Sequence, residues 1–297
     1  MIYKVNAETV NEMYQKMLSV IVENGEPVNP RGFATRELRP LIVRLENSLN
    51  NIITLKTRKL NYSFMVAEWL WMAWGRNDVE MISHYNKALT KFSDDGETFF
   101  GAYGVRIMSQ LHYVIGTLKR DVDSRQAIIS LWRPNPPPTK DVPCTSLMQF
   151  MIRKNKLESI VTMRSSDVWL GIPYDVFNFT RIQAGIAAEL GISPGPITLQ
   201  LGSSHIYMTD FEKAHEVMDE SRTDDGDALS LSPELPCWPP KAMEQDEHAV
   251  RINHETVSQH SVEEPWADYL EALGYRNHKN SDIGSGHIME VIRYAKT

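Results

Sequence analysis

The sequence predicts an α+β fold. Helical patterns dominate the early part of the chain, β-type runs cluster in the middle, and no repeating strand–helix–strand rhythm argues for a doubly wound sheet. With 297 residues and 42% hydrophobic content, the chain can bury one large core or two small ones.

Residues 7 to 23 place Val10, Met13, Met17, Val20 and Ile21 at helical spacing and read as a helix packed on a surface. Asn29 to Arg39, with Pro30 and Gly32, reads as a loop. Leu60 to Trp74 is apolar nearly all round, which predicts a buried helix. Asn77-Asp78 is a cap for a third helix running to Leu89, Asp94-Asp95-Gly96 is a turn, and Arg106 to Leu118 is another helix. Ala127 to Trp132 is a short β-type run ending at the prolines of 134 to 138. Ser146 to Arg153 and Leu157 to Arg164 flank Lys154-Asn155-Lys156 as a hairpin. Asp175 to Leu190 reads as helical, Ile197 to Tyr207 as extended, and Glu212 to Met218 as helical. Ser221 to Pro240, rich in Asp, Ser and Pro, reads as a surface excursion, and a helix is predicted at about Glu264 to Leu273.

The formal charge of −7 excludes a general nucleic-acid binder, since no basic excess exists to displace counterions. It leaves room for a mononucleotide, because a few local arginines bind one phosphate. Two cysteines, Cys144 and Cys237, indicate no disulfide framework and fit a reducing cytosol. The N-terminal stretch carries Glu8 and Glu12 and does not read as a secretory signal. The most apolar run, Phe64 to Trp74, is too short to span a bilayer and contains Glu68. A cytoplasmic protein with no membrane or nucleic-acid partner and no metal is expected.

Four groups carry candidate chemistry. Cys144 follows Pro143 and precedes two hydroxyl residues at the mouth of a strand; it is either a small buried apolar residue or a nucleophile whose thiol a nearby cation such as Arg164 depresses. Arg164-Ser165 ends a strand before a turn, as a solvated charge or as a phosphate grip joined by Arg125 and Arg31 on other loops. Glu68 interrupts an apolar helix, where a carboxyl needs a partner or a proton, and it suits a general acid or base. His205 and Tyr207 share a face by period-two alternation, as a structural patch or as donors to a ribose hydroxyl.

Several ordered blocks together resemble the thymidylate synthase and pyrimidine hydroxymethylase family. They are Asn29-Pro30-Arg31-Gly32, Glu68-Trp69-Leu70-Trp71, Ala102-Tyr103-Gly104, Asp123-Ser124-Arg125 and Pro143-Cys144. Gln149-Phe150, Arg164-Ser165-Ser166-Asp167, Gly171-Ile172-Pro173-Tyr174-Asp175 and His205-Ile206-Tyr207 continue the series. The resemblance implies a layered fold in which residues 1–297 form a single domain, with an excursion at about 221–245 and a divergent tail at about 276–297. It implies a homodimer with sheets back to back. Cys144 would attack C6 of a pyrimidine, and Arg31, Arg164 and Ser165 would bind its 5′-phosphate, with Arg125 reaching in from the partner. His205 and Tyr207 would hold the sugar, and Tyr103 would lie near the ring. Glu68 and Asp167 would serve proton transfer and the co-substrate methylenetetrahydrofolate, whose site Trp71 and Gly171 would help to line.

Departures from the family's pattern sharpen the expectation. Asp175 replaces the asparagine with which synthases read the pyrimidine edge, which points to cytosine. Thr145 stands where a histidine is usual after the cysteine, as in phage-type dCMP hydroxymethylases, and Gln126 stands where a second arginine is usual. The tryptophan-bearing segment with which a synthase shields the methylene is not recognisable, and the C-terminus does not match the folate-closing tail. The expected activity is folate-dependent hydroxymethylation of dCMP at C5, of the kind bacteriophages use. A CMP hydroxymethylase, a dCMP methylase, a dUMP hydroxymethylase, a thymidylate synthase and a silent nucleotide- or RNA-binding member are the alternatives.

Overall fold

The computed structural model describes residues 2–232, 238–275 and 286–296. In chain order the elements are β1 (Tyr3–Ala7), α1 (Val10–Asn24), β2 (Glu26–Val28), β3 (Thr35–Leu38), β4 (Leu41–Leu45), α2 (Tyr62–Ala73), α3 (Val79–Tyr85) and α4 (Tyr103–Arg120). The middle of the chain holds β5 (Ile128–Ser130), β6 (Thr145–Arg153), β7 (Lys156–Met163), β8 (Ser166–Asp167), α5 (Ile172–Leu190), β9 (Ser193–Leu201) and β10 (Ser204–Tyr207). Then come α6 (Phe211–Asp219), α7 (Asp224–Leu229), α8 (Met243–Ile252), α9 (Trp266–Gly274) and α10 (His287–Tyr294).

The strands form two mixed sheets, one ordered β1-β4-β9-β7-β6-β5 and one ordered β2-β3-β10-β8. The architecture is α+β, as expected, with helices flanking mixed sheets. At the centre of the larger sheet, β6 and β7 form the predicted hairpin; Lys154 and Asn155 take positive φ (51° and 58°), as a tight turn matched to strand twist requires. One face of this sheet is buried through Met148, Phe150, Val161 and Leu199, and α5 packs there. Gln183 of α5, itself fully buried, donates to the carbonyls of Leu157 (2.6 Å) and Gly195 (2.9 Å) and so fastens helix to sheet. The opposite face presents Leu147, Met151 and Ile160, all partly exposed.

Four expectations change. Ala7 belongs to β1, and the helix predicted from residue 7 starts only after Thr9, whose hydroxyl accepts the Glu12 amide. The loop predicted for 29–39 contains β3, made a strand by partners on both sides, β2 and β10. The extended segment 197–207 divides at Gly202-Ser203 into β9 and β10, which belong to different sheets. The excursion predicted for 221–240 is in part interior: Ser230 and Ser232 are buried, and the Ser230 carbonyl accepts the amides of Asn51 and Ile52. The rest of that segment about Cys237, and residues 276–285 of the predicted tail, lie outside the described residues. The tail does contribute α10, whose first amides, Ile288 and Met289, donate to the buried Asp268 carboxyl.

Helices α2 and α4 approach backbone to backbone. A Cβ on Gly104 would lie 2.7 Å from the Met72 carbonyl oxygen and 2.9 Å from its Cα. Neither atom belongs to a flexible side chain, so a methyl there must push the two helices apart. Gly104→Ala should therefore cost about 1–3 kcal/mol, read as a lowered urea midpoint with an unchanged slope.

Candidate active site

Helix α2 carries one carboxyl into the interior. Eleven of its twelve residues are buried, and the exception, Glu68, is partly exposed. Desolvation, then the Asp175 charge, raise its pKa to about 8, against a bond from Asn178 that lowers it. The Asn178 Nδ2 donates to Glu68 Oε2 at 2.7 Å.

Asp175 lies in the first turn of α5 and is the electrostatic centre of the site. Burial, reinforced by Asp167, raises its pKa to about 7. Its charge acts on Glu68, on the Tyr103 phenol and on the Cys144 thiol. Four groups that lie more than a hundred residues apart at the extremes thus meet in one electrostatic environment.

Cys144 is exposed at the mouth of β6. Arg164 donates from Nε to the Pro143 carbonyl and from Nη2 to the Val142 carbonyl, both at 2.9 Å, with Nη2 3.8 Å from the Cys144 sulfur. The neighbour expected from the hairpin is in place, but the depressed thiol is not. Although the residue as a whole is exposed, protein packs closely enough around its sulfur for desolvation to push the thiol up; Arg164 opposes that rise, and Asp175, Asp141 and Asp167 add to it. Tyr103 joins the nucleophile's strand directly, its hydroxyl accepting the Thr145 amide at 3.0 Å. A second link runs from the Gly101 amide to Asp141 Oδ2 at 2.6 Å.

The smaller sheet carries the remaining candidates. Asp167 on β8 sits beside His205 on β10, and the His205 and Tyr207 rings meet edge to face at 5.4 Å, on one face as predicted. Burial pushes Asp167 up and His205 down, and the Arg31 charge also acts on His205. Asp167 Oδ1 accepts the amides of Trp169 and Leu170, both at 2.9 Å, which leaves Oδ2 for another donor. Arg58 steadies this loop: it donates to the Trp169 carbonyl and to the Tyr14 hydroxyl, with its guanidinium 4.2 Å from the Trp169 ring. Gly171 lets the loop close, since a Cβ there would lie 3.0 Å from Asp175 Oδ2.

Three predicted residues stand apart from this cluster. Trp71 is buried and commits its indole N–H to the Asp78 carbonyl. Arg125 is exposed on the loop before β5, where its carbonyl accepts a Gln149 amide. Ser165 is partly exposed beside Arg164. Asn178 is the residue that sequence reasoning passed over; its signal is a polar side chain one helical turn after Asp175, between the apolar Phe177 and Phe179. No helix among the described residues is long and apolar enough to cross a membrane.

Comparison with known proteins places these residues in context. The family described as Thymidylate synthase matches residues 12–235. A Deoxyuridylate hydroxymethyltransferase from Bacillus phage SP01 is 32% identical over 231 residues, 70% of this chain and 60% of that protein. A Deoxyuridylate hydroxymethyltransferase from Pseudomonas phage M6 is 32% identical over 160 residues, 50% of this chain and 46% of that protein. The chain therefore spans less than two thirds of the length of either relative.

The raised carboxyls make stability depend on pH. Between the ordinary carboxyl value of 4.5 and about 8, folded Glu68 holds a proton that the unfolded chain releases. Its contribution is thus fully present below 4.5 and is lost as pH rises through about 8. Glu68→Gln removes this loss, so the melting temperature of the variant minus that of the parent should increase from pH 5 to pH 8.5. A difference independent of pH would show that Glu68 titrates normally.

Proposed function

The chain belongs to the thymidylate synthase family, and we propose that it transfers a one-carbon unit to C5 of dCMP, giving 5-hydroxymethyl-dCMP. The observation that carries the choice of base is Asp175, an enclosed carboxyl with a pKa of about 7 in the midst of Cys144, Tyr103 and Glu68. Protonated, it offers one donor and one acceptor, which match N3 and the N4 amino group of cytosine. Ionised, it offers acceptors only, which suit the N4 amino group and a protonated N3 but oppose O4 of uracil.

In this reading Cys144 adds to C6, which makes C5 nucleophilic. Arg164 keeps a guanidinium at the sulfur, where it supports the thiolate against the three carboxylates around it. Methylenetetrahydrofolate would supply the carbon that C5 takes up, and tetrahydrofolate would leave with the carbon–nitrogen electron pair as the C5 hydrogen departs as a proton. The residues present suit that co-substrate, because the spare Asp167 Oδ2 is an acceptor for a pterin N–H group and the adjacent Leu170, 57% exposed, offers an apolar surface for its ring. Glu68, with its high proton affinity, exchanges protons as the C5 hydrogen leaves and water adds to the exocyclic carbon. Expulsion of Cys144 from C6 restores the aromatic ring. Arg31, Arg164 and Ser165 take the 5′-phosphate, and His205 and Tyr207 the sugar. The proposed assembly is a homodimer packed through the partly exposed face bearing Leu147, Met151 and Ile160, with Arg125 reaching the partner's phosphate site.

A dUMP hydroxymethylase is the second reading, favoured by the names of the two phage relatives. Protonated Asp175 can also pair with N3–H and O4 of uracil, so the two readings separate by pH. For the dCMP enzyme, kcat/KM for dCMP over that for dUMP should rise through about pH 7 as Asp175 ionises. Asp175→Asn should lower the ratio at least tenfold, about 1.4 kcal/mol of discrimination. A parent enzyme that prefers dUMP at every pH would establish the second reading. Cys144→Ala should abolish tritium release from C5 of the nucleotide while leaving nucleotide binding intact; undiminished release would remove Cys144 from its role.

A further inference from the structure

Asn178 is fully buried, and it touches the site through one bond, from Nδ2 to Glu68 Oε2 at 2.7 Å. Its Oδ1 is buried with no hydrogen-bond partner among the described residues. An amide left with one orphaned end in the interior costs about 1–3 kcal/mol, which is poor value for a residue that only fills space in α5. A leucine there would fill a similar volume at no such cost.

We propose that Asn178 is a positioning residue for Glu68, keeping that carboxyl hydrogen-bonded in one orientation whether or not it carries a proton. The ionised carboxyl receives the amide N–H, as observed. When Glu68 takes up a proton, a half-turn of the amide about its last side-chain bond presents Oδ1 to the new O–H. In either arrangement one end of the amide is paired and the other is not; the two states differ only in that the bond to the ionised carboxyl is charge-assisted and so the stronger. Glu68 can then give and receive a proton without swinging out of line, which matters because a displacement of about 1 Å at a reacting group can cost about a hundredfold in rate.

Among the described residues Asn178 is the one hydrogen-bond partner of the Glu68 carboxyl. Desolvation and Asp175 of α5 act on Glu68 in one direction, and Asn178 alone opposes them. Tyr174 of α5 feels the Glu68 charge, while Tyr103 of α4 responds to Asp175 and Cys144. His84 and Tyr85 of α3 and Asp268 and Tyr269 of α9, the other helices packed on α2, add no charge that moves Glu68.

This assignment rests on the one-carbon-transfer reading only for its kinetic consequence, so the decisive measurements use the nucleotide-free full chain. In the parent protein, the Asn178 side-chain amide resonances should titrate with the Glu68 carboxyl, whose infrared C=O band is identified by its loss in Glu68→Gln. In Asn178→Leu the midpoint of that band should move up by about one pH unit, the loss of about one charge-assisted hydrogen bond. In Asn178→Asp it should move further, through an added like charge. If tritium release from the nucleotide is observed, the limb of its pH profile that belongs to Glu68 should move with the band. Amide resonances indifferent to Glu68 in the parent, or an Asn178→Leu midpoint equal to the parent's, would overturn the proposal. The parent titration decides even if the variants do not fold, and neither spectroscopic result depends on which base is the substrate.

Discussion

A carboxyl carried by a helix with no other face to water is the constraint on which the rest of the site depends. Helix α2 is apolar nearly all round, so its neighbours α3, α4, α5 and α9 enclose it. Glu68 is the one residue of that helix left partly exposed, and the groups around it must cope with its carboxyl. Asp175 raises its proton affinity, Asn178 restrains that rise, and Tyr103 arrives on the helix that touches α2 without an intervening side-chain layer. Burying a charge is costly, and the cost is tolerated where the resulting proton affinity is of use.

The site also depends on the way the chain passes between sheets. Cys144 opens β6 of the larger sheet, whereas Asp167 and His205 lie in the smaller one. Backbone bonds from Arg164 to Cys144 and from Ser166 to Ser203, both within 2.9 Å, hold the two sheets where the chain leaves one for the other. Cys144, Asp175, Asp167 and His205 therefore lie within electrostatic reach of one another although they come from separate layers.

What was legible in the sequence was local. The all-round apolar pattern located α2, and paired runs about Lys154-Asn155 located the central hairpin, since both signals lie within a few residues of each other. Strands β1, β3, β8 and β10 are five residues or shorter and exist because of partners far along the chain, which periodicity does not reveal. The same limit applies within the site. Chain order singled out Cys144, Glu68, Asp167 and Asp175 as candidates, but the upward Cys144 shift comes first from desolvation, which only the folded packing around the sulfur supplies. Trp71, expected near the co-substrate, lies three positions along the helix from Glu68, where its side chain meets Asp78 and Phe99.

The contact between Gly104 and Met72 separates what is fixed here from what is free to vary. With backbone against backbone, the helices bearing Glu68 and Tyr103 form a single rigid chassis that admits no extra atom. Asp175 stands outside it, on the first turn of another helix and beside a loop. On the proposed reading of Asp175, base preference can therefore be redesigned by exchanging one side chain while the frame that carries Glu68 and Tyr103 is inherited unchanged.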